Sequence, residues 1–352
     1  MKIAQVCARY YPSIGGVETH VKEISERLVQ KGYNINVICT EPEGKLPRTE
    51  KINGVKIVRF KTFLTPKNKY DFAPGIYFYL KEADFDIIHA HDYHSFPSLF
   101  ASFARKDKRF IFTPHYHAKK NLLHLAYKPI GVKVFEKSDK VICVSKYEMG
   151  QIRRRFKILE SKLIQIPNGI NLEEFRGIKP LSKMGKTLLY VGRFEKYKGV
   201  QYAIMVLKEI SDYKLVVVGK GPYEETLRKL AYNLKVYDRI DWLKDLPRDE
   251  LLRHYRSADA FLMLSRYESY SITTAEALAS GTPCIVVKGS ALNEWIDNES
   301  CIGIDYPIDA DQLSDLILRL SLSNNRFKFN WELISWDEVT QKLIDEVYKK
   351  VI

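Results

Sequence analysis

The 352-residue chain lacks the features that mark membrane-spanning, secreted and disulfide-stabilised proteins. Its apolar runs all fall short of the roughly 18 residues that a membrane helix needs. The apolar stretch in the opening segment MKIAQVCARYYP is too short for a signal peptide, and Arg9 interrupts it. Five scattered cysteines without a CxxC pair favour reduced, buried thiols over a disulfide framework. We therefore expect a cytoplasmic protein.

Complete dinucleotide-binding and zinc-protease motifs are also missing. The segment VVVGKGP (216–222) carries Gly219 and Gly221 after a strand-like run, but Glu224 stands where GxGxxG requires its third glycine. This disfavours a nicotinamide-dependent dehydrogenase. Six of the eight histidines fall between residues 89 and 124, yet neither HExxH spacing nor a cysteine partner accompanies them. Buried hydrogen-bonded histidines and donors to a polar ligand are the alternatives to zinc, and we predict that the protein has no metal site.

Positive charge is concentrated in the first half of the chain. Residues 1–170 hold 30 lysines and arginines against 16 acidic residues, whereas residues 171–352 hold 26 against 27. Such an excess suits nucleic acid, an anionic membrane surface or a phosphorylated substrate, and it also suits a plain solvated surface. The sequence contains no RRM, KH, helix-turn-helix or zinc-finger signature, so nucleic acid is the disfavoured partner.

Short apolar strands, among them Asn34–Thr40, Val55–Phe60, Lys140–Val144 and Ala260–Leu264, alternate with helical stretches along almost the whole chain, which predicts α/β architecture with parallel sheets. Residues 17–31 place Val17, Val21, Ile24 and Leu28 at helical spacing, and Ser145 followed by Glu148 predicts a capped helix after Val144. The rhythm breaks at the turn signal IPNG (166–169) and then restarts. We predict two doubly wound, Rossmann-like domains: residues 1–167 with 335–352, and residues 168–334. Ligands of such sheets bind beyond the carboxyl ends of the strands, so the loops after the strands are the candidate sites.

Glycines and cations fill several of these loops. In YYPSIGGVETH (10–20), Gly15 and Gly16 open a helix, where backbone N–H groups favour a phosphate. In GRFEKYKG (192–199), Arg193 and Lys198 precede another helix, an arrangement suited to a diphosphate. A plain tight turn and two exposed surface cations are the simpler alternatives.

The most specific pattern is LSRYESYSITTAEALASGTPCIVV (264–287), in which Glu268 and Glu276 are eight residues apart. Ser271 lies between them, near the start of a predicted helix. The helix N-terminus can hold phosphate through its N–H groups, and the two carboxylates can accept hydrogen bonds from sugar hydroxyls.

Taken in order, the elements YPSIGGVE, HAHD, the TPHYH loop with VICVS and IPNGI behind it, GRFEKYKG, and Glu268 with Glu276 resemble the retaining glycosyltransferases of family 4 (GT4). The resemblance spans residues 1–305 and implies the GT-B fold, in which two Rossmann-like domains face an interdomain cleft. Tyr270 and Ser271 depart from the Phe-Gly that is usual in the family, which bears on donor identity more than on class.

The resemblance also implies roles for individual residues. Gly15 and Gly16 would lie beside the donor diphosphate, and His115 would touch the donor sugar near the reacting carbon. Arg193 and Lys198 would neutralise the leaving diphosphate. The remaining implied contacts are Glu268 to the sugar hydroxyls, Glu276 to the ribose, Tyr270 and Ser271 to the donor, and Gly219, Gly221 and the segment 242–246 to the base.

The sequence therefore predicts a retaining, metal-independent enzyme without a cofactor, which moves a sugar from a nucleotide sugar to a lipid-linked or glycan acceptor. UDP-sugar is favoured over GDP-sugar as the donor on family frequency alone. The basic first domain suggests peripheral binding to the inner membrane face. The alternatives are a sugar-nucleotide epimerase or hydrolase of the same fold, a nucleic-acid-binding protein, and a catalytically silent relative that serves as a partner subunit.

Overall fold

The computed structural model describes residues 1–63, 71–117, 122–182, 185–322 and 333–352. These residues divide into two compact units, Met1–Gly169 with Trp336–Ile352, and Ile170–Ser335. Each unit has its own predominantly parallel sheet, which confirms the α/β prediction.

The first unit contains an eight-stranded sheet among the described residues. Its strands are β1 (Lys2–Val6), β2 (Asn34–Thr40), β3 (Thr49–Ile52), β4 (Val55–Phe60), β5 (Ile87–His91), β6 (Arg109–Thr113), β7 (Lys140–Cys143) and β8 (Leu163–Gln165). The strand order is β3-β4-β2-β1-β5-β6-β7-β8. Only the β3–β4 pairing is antiparallel among the pairings of this described sheet.

Helices in the first unit connect these strands. They are α1 (Gly16–Gln30), α2 (Gly75–Glu82), α3 (Phe96–Ala104), α4 (Leu122–Lys137) and α5 (Lys146–Phe156). In α1, Val21, Ile24 and Leu28 are buried at helical spacing, as the sequence pattern predicts. The predicted cap of α5 is also present, because the Ser145 hydroxyl accepts a hydrogen bond of 3.0 Å from the Glu148 N–H.

The second unit contains six parallel strands among its described residues. They are β9 (Lys186–Val191), β10 (Tyr213–Val218), β11 (Ile240–Leu243), β12 (Ala260–Met263), β13 (Cys284–Val287) and β14 (Cys301–Ile304), with helices α6 (Val200–Val206), α7 (Glu224–Asn233), α8 (Arg248–Ser257), α9 (Ile272–Ala279) and α10 (Ala310–Leu322). Alternate residues of β9 enter different clusters: Leu188 and Tyr190 one, Leu189 and Val191 the other. The sheet therefore has an apolar core on each face.

The end of the chain returns to the first unit. It forms α11 (Trp336–Lys342), a π-helical segment (Leu343–Tyr348) and α12 (Lys349–Val351). The buried Tyr348 hydroxyl lies 2.9 Å from Gln5 Nε2 and 2.8 Å from His89 Nδ1. These two bonds fix the segment against β1 and β5.

Each sheet has a point from which the strand order runs outward in both directions. This point lies between β1 and β5 in the first unit, and between β9 and β12 in the second. Open α/β sheets bind ligands at such topological switch points, beyond the carboxyl ends of the strands. Across the described parts of the chain, no helix combines the length and the apolar character needed to cross a membrane.

Candidate active site

The switch point of the second unit brings together two residues that are 70 positions apart. Lys198 follows β9 and Glu268 follows β12, and Lys198 Nζ lies 2.6 Å from Glu268 Oε1. Gly199 makes this contact sterically feasible. It has a φ of +80°, and a Cβ there would approach the Leu264 carbonyl oxygen to 2.1 Å. The lysine loop can therefore pack directly on the end of β12.

The pair of Lys198 and Glu268 is largely withdrawn from water, since the two side chains are 19% and 12% exposed. Burial lowers the pKa of Lys198, but the nearby Glu268 carboxylate and Tyr197 outweigh burial and raise it above its usual range. Lys198 is therefore a charged ammonium at neutral pH, and it lies in the loop that follows β9.

Arg193 has a different environment from Lys198. Its side chain is 62% exposed, and Nη2 lies 3.4 Å from Glu195 Oε1. Its charge still acts on Lys198, whose pKa it tends to lower. The two predicted cations thus share one loop. Among the described contacts of this loop, it is Lys198 that pairs with Glu268, at 2.6 Å.

Glu276 has two strong partners that the sequence analysis did not identify. Arg248 Nη1 lies 2.6 Å from Glu276 Oε1, and the Tyr255 hydroxyl donates a hydrogen bond of 3.0 Å to Oε2. Both partners come from α8. Burial works against the Arg248 charge, but Glu276 and Glu174 outweigh it and raise the pKa of Arg248. Local sequence carried no signal for this contact, because it depends on how α8 packs beside α9.

Ser271 occupies a backbone conformation that favours glycine. Its φ is +83°, and it is the N-cap of α9. The Ser271 hydroxyl accepts a hydrogen bond of 3.4 Å from the Thr274 N–H and lies 2.7 Å from Thr274 Oγ1. Tyr270 precedes this cap, and its carbonyl oxygen accepts a hydrogen bond of 2.8 Å from Trp295 Nε1. The serine thus starts the helix where the family pattern has glycine.

Gly219 and Gly221 both have a packing role within the second unit. A Cβ at Gly219 would lie 2.0 Å from the Gly192 carbonyl oxygen, and one at Gly221 would lie 2.4 Å from that of Phe194. The loops that follow β9 and β10 therefore touch backbone to backbone. This contact accounts for the glycines whether or not a ligand binds beside them.

Gly15 and Gly16 have no comparable packing role in the first unit. Gly15 has an extended φ of −177°, and the nearest atoms to a Cβ there belong to the Glu18 carboxylate. A Cβ at Gly16 would meet nothing within 4 Å in the described structure. Open space is therefore found beside Gly16 at the N-terminus of α1, whereas the Glu18 carboxylate lies beside Gly15.

Three buried histidines converge at the same switch point. His20 comes from α1, His91 ends β5, and His115 follows β6. The ring centroid of His20 lies 5.3 Å from that of His91 and 4.8 Å from that of His115. His115 has a φ of +47°, an uncommon conformation for a residue other than glycine. Burial lowers the pKa of each of the three, that of His20 to about 4.

Hydrogen bonds fix two of these rings and one neighbouring histidine. His20 Nδ1 lies 2.7 Å from Asn168 Oδ1, and His91 Nε2 lies 2.7 Å from Gln5 Oε1. His89 is bonded at both nitrogens, which confirms for this residue the alternative of a buried, hydrogen-bonded histidine. Of the three clustered histidines, only His115 was predicted from the sequence to lie in the site. His20 was not predicted there, since it lies 71 positions before His91 in the chain.

The two units, each built on its own predominantly parallel sheet, define a class of fold, the GT-B fold. Sucrose-phosphate synthase from Thermosynechococcus elongatus has a TM-score of 0.86 at 18% identity, over 99% of this chain and 98% of that one. The Anabaena protein HepE in complex with UDP-glucose has a TM-score of 0.81 at 14% identity, over 99% and 100% of the respective chains. These likenesses confirm the predicted fold.

The chain belongs to glycosyltransferase family 4. The profile of Glycosyltransferase Family 4 matches residues 14–174, and that of Glycosyl transferases group 1 matches residues 171–330. An uncharacterized glycosyltransferase of Methanocaldococcus jannaschii is 30% identical over 99% of this chain and 98% of its own length. The alpha-monoglucosyldiacylglycerol synthase of Streptococcus pneumoniae is 28% identical over 85% of this chain and 74% of its own length. The predicted family and enzyme class, a glycosyltransferase, are thereby confirmed.

Proposed function

We propose that this glycosyltransferase moves a sugar from a nucleotide sugar, with retention of the anomeric configuration, to a lipid-linked or glycan acceptor. UDP-sugar is the favoured donor and GDP-sugar the second. The observation that carries the proposal is the partly buried pair of Lys198 and Glu268 at the β9–β12 switch point. An ammonium donates hydrogen bonds to phosphate, and a carboxylate accepts them from hydroxyl groups. The adjacent pair therefore suits a ligand that carries a phosphate next to hydroxyl groups.

In this proposal the second unit holds the donor. Lys198, assisted by the exposed Arg193, neutralises the leaving diphosphate, and the N-terminus of α9 at Ser271 adds backbone N–H groups. Glu268 accepts hydrogen bonds from the sugar hydroxyls, and Glu276 from the ribose. Tyr270 continues the donor surface beside them. The glycine loop 219–221 and the segment 242–246 lie beside the base.

In this proposal the first unit contributes further contacts to the donor, and it also binds the acceptor. The open space beside Gly16, next to Gly15, accommodates the diphosphate, and His115 lies against the sugar near its reacting carbon. The acceptor attacks from the face that the diphosphate leaves, which gives retention without a covalent intermediate on a paired carboxylate. Cations of the protein stabilise the leaving group, so the step requires no metal ion.

A membrane lipid is the acceptor class that the charge distribution favours. The pneumococcal relative is a synthase of a glucosylated diacylglycerol. Residues 1–170 of this chain carry the excess of positive charge, which suits an anionic inner membrane surface. We therefore propose a cytoplasmic enzyme that binds the membrane peripherally through its first unit.

The test is a transfer assay in the presence of EDTA, with UDP- and GDP-sugars as donors and anionic vesicles containing diacylglycerol or phosphatidylinositol as acceptors. The proposal predicts a glycolipid product whose anomeric configuration matches that of the donor. Donor consumption that is equally fast without any acceptor would contradict transfer and would favour an epimerase or hydrolase. Binding to vesicles, measured by sedimentation at low salt, tests the membrane proposal separately.

A further inference from the structure

The histidines at the switch point of the first unit form a cluster, and in the proposed transfer reaction only His115 among them has a role. His20, His91 and His115 each offer a ring nitrogen, and these three nitrogens all lie within 4.8 Å of one another. The side chains are buried, with exposures of 3%, 0% and 7%. In the described structure His20 Nε2, His91 Nδ1 and His115 Nε2 have no hydrogen-bond partner.

The hydrogen bonds on the opposite side of the rings define the chemistry of two of these nitrogens. The oxygens of Asn168 and Gln5 can only accept, so His20 Nδ1 and His91 Nε2 must carry the protons. In a neutral imidazole the other nitrogen then holds a lone pair. His20 Nε2 and His91 Nδ1 are therefore fixed as acceptors, although no donor meets them among the described residues.

A second chain of hydrogen bonds supports this assignment for His91. Gln5 Nε2 donates to the Tyr348 hydroxyl at 2.9 Å, which leaves Gln5 Oε1 directed at His91 Nε2. Tyr348 in turn lies 2.8 Å from His89 Nδ1. Every member of this chain is buried, so the orientation of the His91 ring is held by the fold.

We propose that His20, His91 and His115 form a binding site for a divalent transition metal ion such as Zn²⁺, and that the bound ion excludes the donor sugar. Imidazole nitrogens suit Zn²⁺, Co²⁺ and Ni²⁺, and three histidines leave one coordination position open. A tetrahedral site with Zn–N distances of about 2.0 Å needs nitrogens about 3.3 Å apart, so the three rings must move closer together when the ion binds. Asn168 and Gln5 correspond to the outer partners that orient metal-binding histidines.

The exclusion of the donor rests on the proposed function. His115 is the residue proposed to contact the sugar near its reacting carbon, and an ion on His115 Nε2 would occupy that contact. The metal would therefore be an inhibitor of transfer rather than a cofactor, in keeping with the proposal that transfer requires no metal ion. Metal binding itself depends only on the geometry of the first unit.

The direct test is calorimetric titration of the metal-free full-length protein with Zn²⁺. We expect one ion per chain, with affinity at least about 100-fold weaker in His91→Gln and His115→Gln, and about 10- to 100-fold weaker in Asn168→Ala. His254→Gln, a histidine of α8 in the other unit, is the matched control and should leave the affinity unchanged. Absence of binding, or binding that is equal in all variants, would overturn the site.

X-ray absorption of the zinc-loaded wild-type protein gives an answer that does not depend on whether a variant folds. The site predicts nitrogen or oxygen ligands at about 2.0 Å with histidine outer-shell scattering, and no sulfur at about 2.3 Å. Sulfur ligands would place the metal on cysteine and overturn the proposal.

Competition tests the exclusion of the donor without an activity assay. A saturating nucleotide sugar should weaken the affinity for Zn²⁺, and Zn²⁺ should weaken the affinity for the donor by the same factor. Independent binding of the two would refute the exclusion while leaving the metal site intact. Failure of the proposed function is distinguishable, because it would appear as absence of transfer in metal-free protein.

Discussion

Variants of Lys198 and Glu268 can show whether the charge of Lys198 serves the reaction or only the stability of the fold. In Lys198→Met, the ammonium 2.6 Å from the Glu268 carboxylate is lost, and a mostly buried charge remains without its counter-ion. Breaking a buried pair in this way costs about 3–5 kcal/mol, and because both side chains keep some contact with water we take the lower end, about 3 kcal/mol. Urea denaturation followed by tryptophan fluorescence measures this loss.

Turnover should fall for a separate reason. A hydrogen bond to a charged group contributes about 1.5–3 kcal/mol, so loss of the Lys198 contact with the diphosphate should lower kcat/KM by about tenfold to a hundredfold. The double variant Lys198→Met/Glu268→Gln removes both charges. It should regain most of the stability, to within about 1 kcal/mol of wild type, but none of the activity.

The matched control is Lys229→Met, which removes the same kind of ammonium from a surface pair. Lys229 Nζ lies 2.7 Å from Glu225 Oε1, with both side chains more than 70% exposed. Stability should change by less than about 1 kcal/mol and turnover not at all. Recovery of activity together with stability in the double variant would show that the Lys198–Glu268 pair is structural, and it would refute the assignment to the donor.

Three further predictions concern the glycines and the buried histidines. Gly16→Ala should leave the melting temperature unchanged or slightly raised. It should lower kcat/KM about tenfold or more, because the alanine methyl group enters the space proposed for the diphosphate. Unchanged kcat/KM would contradict that placement of the diphosphate. Gly219→Ala should destabilise the second unit by more than about 1 kcal/mol, measured by urea denaturation, because its Cβ would lie 2.0 Å from the Gly192 carbonyl oxygen; a neutral effect would show that the loops separate easily. Burial lowers the pKa of His20 from 6.5 to about 4, so its contribution to stability is complete above pH 6.5 and is lost as the pH falls towards 4. Relative to His20→Gln, wild type should lose about 3 kcal/mol of unfolding free energy between pH 7 and pH 4, and parallel pH profiles would contradict this. The comparison with the variant is needed because burial raises the pKa of Asp92 to about 7, which acts in the opposite direction in both proteins.

Periodicity in the sequence predicted the strands inside the two sheets better than the strands at the sheet edges. Asn34–Thr40 and Val55–Phe60 match β2 and β4 residue for residue, because each is a run of β-branched and apolar residues with burial to match. The strands β3 (TEKI) and β11 (IDWL) were not predicted. Each has only four residues and forms at a sheet edge, where pairing with a neighbour outweighs local preference.

The candidate site was predictable where it consists of loop motifs and unpredictable where it consists of contacts between distant elements. Gly15, Lys198 and Glu268 were identified because their residue types follow strands in a recognisable order. The partners Arg248 and Tyr255 were missed, because only the packing of α8 beside α9 brings them to Glu276.

The same limit applied to the histidines. Their crowding between residues 89 and 124 was visible, and it included His91 and His115 but not His20. His20 completes the cluster from α1, and the pairing of β5 with β6 brings His91 close to His115. Hydrogen bonds to Asn168 and Gln5 then decide which nitrogens of His20 and His91 carry the protons, and such long-range contacts leave no local pattern in a sequence.

Binding of a nucleotide in the absence of metal tests the central claim most directly. Thermal unfolding of the EDTA-treated protein should be followed with UDP, GDP, ADP, CMP and their common sugar conjugates. At about 100 times its dissociation constant a ligand adds about 2.7 kcal/mol of stability, which is readily seen. We expect a clear rise in melting temperature with UDP and its sugar conjugates. This rise should be smaller in Lys198→Met and unchanged in Lys229→Met. Absence of any shift in the folded wild-type protein would contradict a nucleotide-sugar donor site.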